Sequence, residues 1–305
     1  MEQWFRWNSN RCVRERSSGL QVRPKLRNTR YANGAIVMLC FQAETRPMSE
    51  RSSTISRTRS SGTDSYWSLA RSPLHCLIFL LPLLAIYEVG VLWLGGAQAT
   101  LLRNGADYWM RDWLLQQGWE AQWLLPVLVI GVLLAWQVMG RFPWSIRIDT
   151  LIGMAAESLL FACVLLMLGQ TQDLLFQQCL DPLNLAVSPT AAVGSPTART
   201  VSYVGAGIYE EVLFRLLALP LAFVALRIML VPDRWATVLA VLGTSVLFSL
   251  AHYVGPGADS FTSFSFVFRT IAGLFFAVLF VLRGFGITVG AHAVYDVLVG
   301  VLLRP

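Results

Sequence analysis

Six polar side chains in the last third of the sequence are of the types that move protons or steady charge: Glu210, Glu211, Arg215, His252, His292 and Asp296. All lie in or beside apolar runs, where a charged side chain costs on the order of 2.5 to 3.5 kcal/mol on insertion scales. Each therefore needs a physical reason to be there. Glu211 and Arg215 are four residues apart in the favourable order of acid before base, so they face each other across one helical turn. Glu210 is rotated about 100° from that pair and has no local partner. A carboxyl in that position is a candidate general base or acid; the plainer alternative is an ion pair that stabilises a bundle, with a neutral glutamic acid beside it. Phe248 and His252 share a helix face, and His252 alone reads equally as a satisfied interfacial residue. His292 and Asp296 are again four apart on one face. A carboxylate that orients a histidine is a common supporting arrangement, although a pair that only packs two helices has the same spacing.

The elements that carry these residues must be membrane helices. The chain has 305 residues, 55% hydrophobic and 14% charged, with a mean hydropathy of +0.55, which points to lipid as the solvent for most of it. The fold class expected is all-α, a polytopic transmembrane bundle of about seven to eight spanning helices, since a crossing takes about 20 mostly apolar residues. Seven stretches qualify: Leu74–Gly96, Ala121–Met139, Thr150–Gly169, Val201–Leu219 with an extension past Pro220 to Leu230, Trp235–Tyr253, Phe264–Leu282 and Phe285–Leu303. Alternating helix directions place the three clusters in the same half of the membrane, so they can converge on one cavity. Between the first two spans, Leu101–Gly118 mixes Tyr108, Trp109 and Trp113 with Arg103, Asp107 and Arg111, which fits an amphipathic helix lying in the interface. Gln170 to Thr200, with Pro182, Pro189 and Pro196, reads as a long loop dividing an N-terminal bundle from a C-terminal one.

Three regions follow: residues 1–70, polar, Arg-rich and expected to lack fixed structure; 71–199, membrane helices with the interfacial helix and the loop; and 200–305, the bundle with the charged clusters. The formal charge of +6 sits mostly in the first region, so no basic groove for nucleic acid runs through the folded part. Translation is expected to begin at Met48, because the preceding stretch has no pattern of its own. The expected setting is an integral, multi-pass membrane protein, in the cell membrane if the source is bacterial. Orientation is weakly biased towards Arg141, Arg147, Arg227, Arg234 and Arg283 on the cytoplasmic side. Cys12, Cys40, Cys76, Cys163 and Cys179 form no CxxC pair, which supports neither a disulfide framework nor a cysteine zinc site. Glu88 and Glu157 are intramembrane acids with no partner visible in sequence and read as packing or interfacial residues. His75, at the start of the first span, reads as interfacial, and Arg269 as a snorkelling residue.

In order along the chain, Glu210-Glu211-x-x-x-Arg215, Phe248-x-x-x-His252 and His292-x-x-x-Asp296 resemble the motifs of the CPBP intramembrane peptidases. That family includes the type II CAAX prenyl endopeptidases and bacteriocin-processing or immunity proteins. The likeness covers Val201 to the C-terminus. It implies hydrolysis of a peptide bond in a membrane-associated or prenylated substrate, with Glu210 and His252 activating a water while His292 and residue 296 steady the oxyanion. Many members carry Asn where this chain has Asp296. The family has also been called metallopeptidase, so His252 and His292 with a carboxylate are a candidate set for a divalent metal such as zinc; a metal-independent glutamate mechanism is preferred. Serine or cysteine catalysis is not expected, because no nucleophile-elbow context occurs. The partners implied are a peptide or protein substrate at the membrane and the lipid bilayer; no oligomeric state is implied. Two other classes fit buried Glu, His, Asp and Arg: a non-catalytic scaffold of the immunity type, and a proton-coupled transporter.

Overall fold

A computed structural model of the chain describes residues 66–96, 102–119, 122–180, 195–255 and 258–303. These residues lie within one compact unit, and among them every regular element is a helix. In chain order they are α1 (Tyr66–Ala70), α2 (Pro73–Gly95), α3 (Gly105–Gln116), α4 (Leu124–Met139), α5 (Ile148–Leu180), α6 (Pro196–Glu211), a π-helical stretch Val212–Ala218, α7 (Leu219–Ile228), α8 (Asp233–Ala251), α9 (Ser263–Arg283), α10 (Phe285–Val297) and a second π-helical stretch Leu298–Leu302.

Among the described residues, five helical segments are long and apolar enough to cross a membrane: Pro73–Gly95, Ile148–Gln177, Asp233–Ala251, Ser263–Arg283 and Phe285–Leu302. The chain is a membrane protein, as the exposed apolar residues on these helices require: Trp93, Ile152, Met167, Leu247 and Leu282 all face outward. The count of seven to eight crossings is not met by these five. Leu124–Met139 is apolar but falls in the shorter class, and α6 stops at Glu211, where the helix widens into π geometry before resuming as α7.

The position of α10 organises the rest. Phe285 to Ala293 is buried at every residue, which marks a helix enclosed by neighbours rather than lying against one. It packs on α2, α5, α6 and α9. Small residues make the approach possible, as is usual between membrane helices. A Cβ on Gly207 of α6 would lie 2.6 Å from the backbone nitrogen of Ala293, and one on Gly290 would lie 2.3 Å from Ser158 Oγ of α5. The first of these contacts holds α6 against α10 one turn from Glu210, Glu211 and His292.

Several expectations change. Helix α5 continues through Gln170 to Leu180, so the loop is shorter than expected; Gln172 Nε2 donates to Phe264 O at 2.9 Å, and the Phe176 ring meets Phe264 edge-on. Residues 181–194 lie outside the described residues, as do 1–65 and with them Met48 and most of the polar leader. The leader's boundary moves, since Tyr66–Ala70 is a helical turn with Leu69 and Ala70 buried. The helix expected in the interface exists as α3, capped by Asn104, whose side chain accepts from Asp107 N at 2.9 Å. Its charges point inward instead of to water: Asp107 is fully buried while Tyr108, Trp113 and Leu115 are exposed.

Candidate active site

The site lies where α6, the end of α8, α9 and α10 meet. Ser195 starts α6 by accepting from Ala198 N at 3.2 Å, with Pro196 in the first turn. Sixteen residues later the helix delivers Glu210 and Glu211 and passes into the π stretch that carries Arg215. Helix α10 also becomes π-helical directly after Asp296 and Val297. Such wide turns are frequent at functional sites.

Glu211 is the buried centre. Its Oε1 lies 2.7 Å from His292 Nδ1 and 3.0 Å from Arg215 Nη1, so the expected pair across one turn is present and extends to a third helix. Arg215 also donates from Nη2 to Gly273 O at 3.1 Å, and its guanidinium lies 4.7 Å from the centre of the Phe248 ring and 5.5 Å from that of Phe276. Phe248 meets His252 and His292 edge-on, which gives the aromatic residue of the second motif a packing role between two histidines.

His252 closes α8. Its Nδ1 lies 2.8 Å from Phe248 O; a carbonyl only accepts, so Nδ1 carries the hydrogen and Nε2 is left to face the site. Glu210 Oε2 stands 3.7 Å from His252 Nε2 and 3.8 Å from His292 Nε2. These separations exceed the roughly 3.2 Å limit of a direct hydrogen bond, and Glu210 Oε2, like Glu211 Oε2 and Arg215 Nη1, is a buried atom with no hydrogen-bond partner among the described residues. Asp296 Oδ2 lies 3.4 Å from His292 Nε2. The histidine thus has a carboxylate oxygen in front of each ring nitrogen. The structure brings all six sequence-predicted residues together.

Some residues at the site were not foreseen. Phe276 stacks on the His292 ring, centroids 4.4 Å apart and planes at 17°. It belongs to the buried face of α9 made by Ala272, Gly273, Phe276, Ala277 and Phe280, a spacing of three and four that marks an inward stripe in sequence. Trp109 of α3 has no such signal, yet lines the cavity at Glu210 and His252. Other candidates lie elsewhere. Glu157 pairs with Arg283, and Arg269 pairs with Asp259 beneath the Tyr253 ring instead of snorkelling alone. His75 is buried in the first turn of α2: Nε2 accepts from Arg147 N and Nδ1 meets Ser72 Oγ.

A catalytic zinc takes about three protein ligands near 2.0 to 2.2 Å and keeps one position open. No group of three or more His, Cys, Asp or Glu side chains among the described residues has an arrangement that could hold a metal ion. His252 and His292 with a carboxylate therefore do not fit the metal set considered from sequence, and no step is derived through one.

Residues 192–298 match the family model described as type II CAAX prenyl endopeptidase Rce1-like. Over those residues the chain is similar to that family. The matched stretch contains all six site residues and none of α1 to α5. No curated protein and no solved structure matches the chain.

Proposed function

We propose that the chain is an intramembrane endopeptidase that hydrolyses a peptide bond in a membrane-associated or prenylated substrate with a water activated by Glu210 and His252. The observation that carries this reading is Glu210 Oε2, buried without a partner between two histidine nitrogens. A water there can give one hydrogen to the carboxylate and the other to His252 Nε2, which leaves an oxygen lone pair for the substrate carbonyl. As the oxygen attacks, its proton passes to Glu210 and the carbonyl electron pair moves onto oxygen. His292 donates to that oxyanion, its ring held by Glu211 at Nδ1 and by the Phe276 stack. Collapse re-forms the carbonyl and breaks the C–N bond, and the proton held by Glu210 goes to the leaving amine. Arg215 touches none of the reacting atoms; it fixes Glu211.

The test is cleavage of a panel of prenylated and leader peptides by the purified protein in detergent, beside Glu210→Ala, each with and without a chelator. The expected result is cleavage that the substitution lowers by about 100- to 10,000-fold and that the chelator leaves intact. Equal cleavage by both chains would sink the glutamate mechanism. A cellular role kept by a folded Glu210→Ala chain would favour the scaffold.

A further inference from the structure

The cavity beside Glu210 is built from two separate parts of the chain. It measures about 130 Å³, with Glu210, Phe214 and His252 on one side and Gly105, Ala106 and Trp109 of α3 on the other. The first group lies inside the Rce1-like stretch and the second lies outside it. Trp109 is wedged in place: a Cβ on Gly255, just past α8, would lie 3.0 Å from its Nε1.

Helix α3 is fixed there by buried charge. Arg103, Asp107 and Arg111 follow one another at four-residue intervals on one face and bind into a network with Glu88, Tyr87 and Tyr209. Trp109 is about 200° round the helix from Asp107, so one face anchors α3 while another walls the cavity. Tyr209 directly precedes Glu210, so the same network ties the wall to the helix that carries the base.

The volume limits what can enter. A cavity of about 150 Å³ takes a benzene molecule, and pockets for whole drug-sized ligands run from about 300 to 1,000 Å³. The 130 Å³ of this half-open cavity encloses one small side chain, and an isoprenoid tail would extend out of it. We infer that α3 is the specificity wall of the substrate site: Trp109 restricts the residue beside the scissile bond to a small aliphatic side chain, and the lipid anchor of the substrate stays in the bilayer outside the cavity. This assignment rests on the peptidase reading above.

Four farnesylated peptides that differ only in the residue after the farnesylated cysteine (Ala, Val, Leu or Phe) test the assignment on the full chain. Trp109→Ala should raise the ratio of kcat/KM for the Phe peptide over the Ala peptide by about tenfold or more, mainly through KM, as a resized apolar pocket does. Trp109→Phe should move it less in the same direction, and Trp113→Ala, one turn further along α3 where the side chain is exposed and does not line the cavity, should not move it. An unchanged ratio in a Trp109→Ala chain that still cleaves overturns the wall. If the wild-type chain cleaves none of the four, the farnesylated substrate class fails by itself, and the wall is then read by cross-linking. A benzophenone side chain at position 109 in the Glu210→Gln chain should capture the peptide while one at 113 does not; equal capture, or none at 109, overturns it.

Discussion

Two clusters of buried charge lie against the same helix α6 and solve the same problem in opposite ways. In the first, Glu88 and Asp107 meet Arg103 and Arg111, two acids against two bases, with Tyr87 and Tyr209 donating to the carboxylates. In the second, Glu211 is paired with Arg215 and His292, but Glu210 stands off from both histidines, and a cavity opens beside it. The first arrangement balances two acids with two bases, and the one carboxylate oxygen in it without a hydrogen bond, Glu88 Oε2, lies 3.5 Å from Arg103 Nη1. The second leaves two carboxylate oxygens, Glu210 Oε2 and Glu211 Oε2, without a hydrogen bond, and of these two residues only Glu210 lines the cavity. In a low-dielectric setting an uncommitted polar atom is costly, so its persistence points to use, whereas the cancelled cluster points to architecture.

The sharpest way to break this comparison is to measure stability at both places. Removing one member of a buried ion network strands the others, at about 3 to 5 kcal/mol. Glu88→Ala should therefore lower the stability of the detergent-solubilised protein by that order, read as its thermal unfolding midpoint. Glu210→Gln removes a carboxylate that no protein group satisfies and should change stability by about 0.5 kcal/mol or less, while abolishing cleavage. A larger stability loss at Glu210 than at Glu88 would reverse the assignment of the two clusters.

What could be read in sequence was what a single helix determines. Glu211 with Arg215, Phe248 with His252, and His292 with Asp296 are each four residues apart, and the helical period puts such residues on one face whatever surrounds them. Their convergence followed from counting residues inward along helices of alternating direction. The Glu88 cluster was invisible because its partners come from three helices: Arg111 lies 23 residues away and Tyr209 lies 121, and no period links them. The inverted face of α3 escaped for the same reason, since an amphipathic pattern does not say which side meets protein. The π stretch that begins at Val212 ends just before Pro220, whose missing N–H and ring disturb the preceding turn without saying where the wide turns begin, and the continuation of α5 past Gln170 was masked by polar residues that form helix as readily as they form loop.

Glu211 belongs to both kinds of cluster and sharpens the comparison further. Its Oε1 accepts from His292 and faces Arg215. Glu211→Gln keeps the acceptor oxygen but loses the charge, so it should cost about 1.5 to 3 kcal/mol of stability, the value of a hydrogen bond to a charged group. It should also lower kcat by about 10- to 100-fold, as for a group that positions a catalytic histidine. A loss of stability with unchanged kcat would put Glu211 wholly with the architectural cluster.

Asp296 should give the smallest effect. Its Oδ2 lies 3.4 Å from His292 Nε2 and its side chain is 21% exposed, against 5% for the histidine. Removing its charge strands no buried partner, because Glu211 still holds the other ring nitrogen. Asparagine keeps an oxygen that can accept from Nε2 and adds an amide that can donate to an oxyanion. Asp296→Asn should accordingly lower kcat/KM by about tenfold or less and leave the unfolding midpoint unchanged. A loss near the size of the Glu210 effect would show that the reaction needs the carboxylate itself at 296. Glu210 would then no longer be the one acid on which cleavage depends, and the contrast between the two buried clusters would rest on two residues of α6 and α10 instead of one.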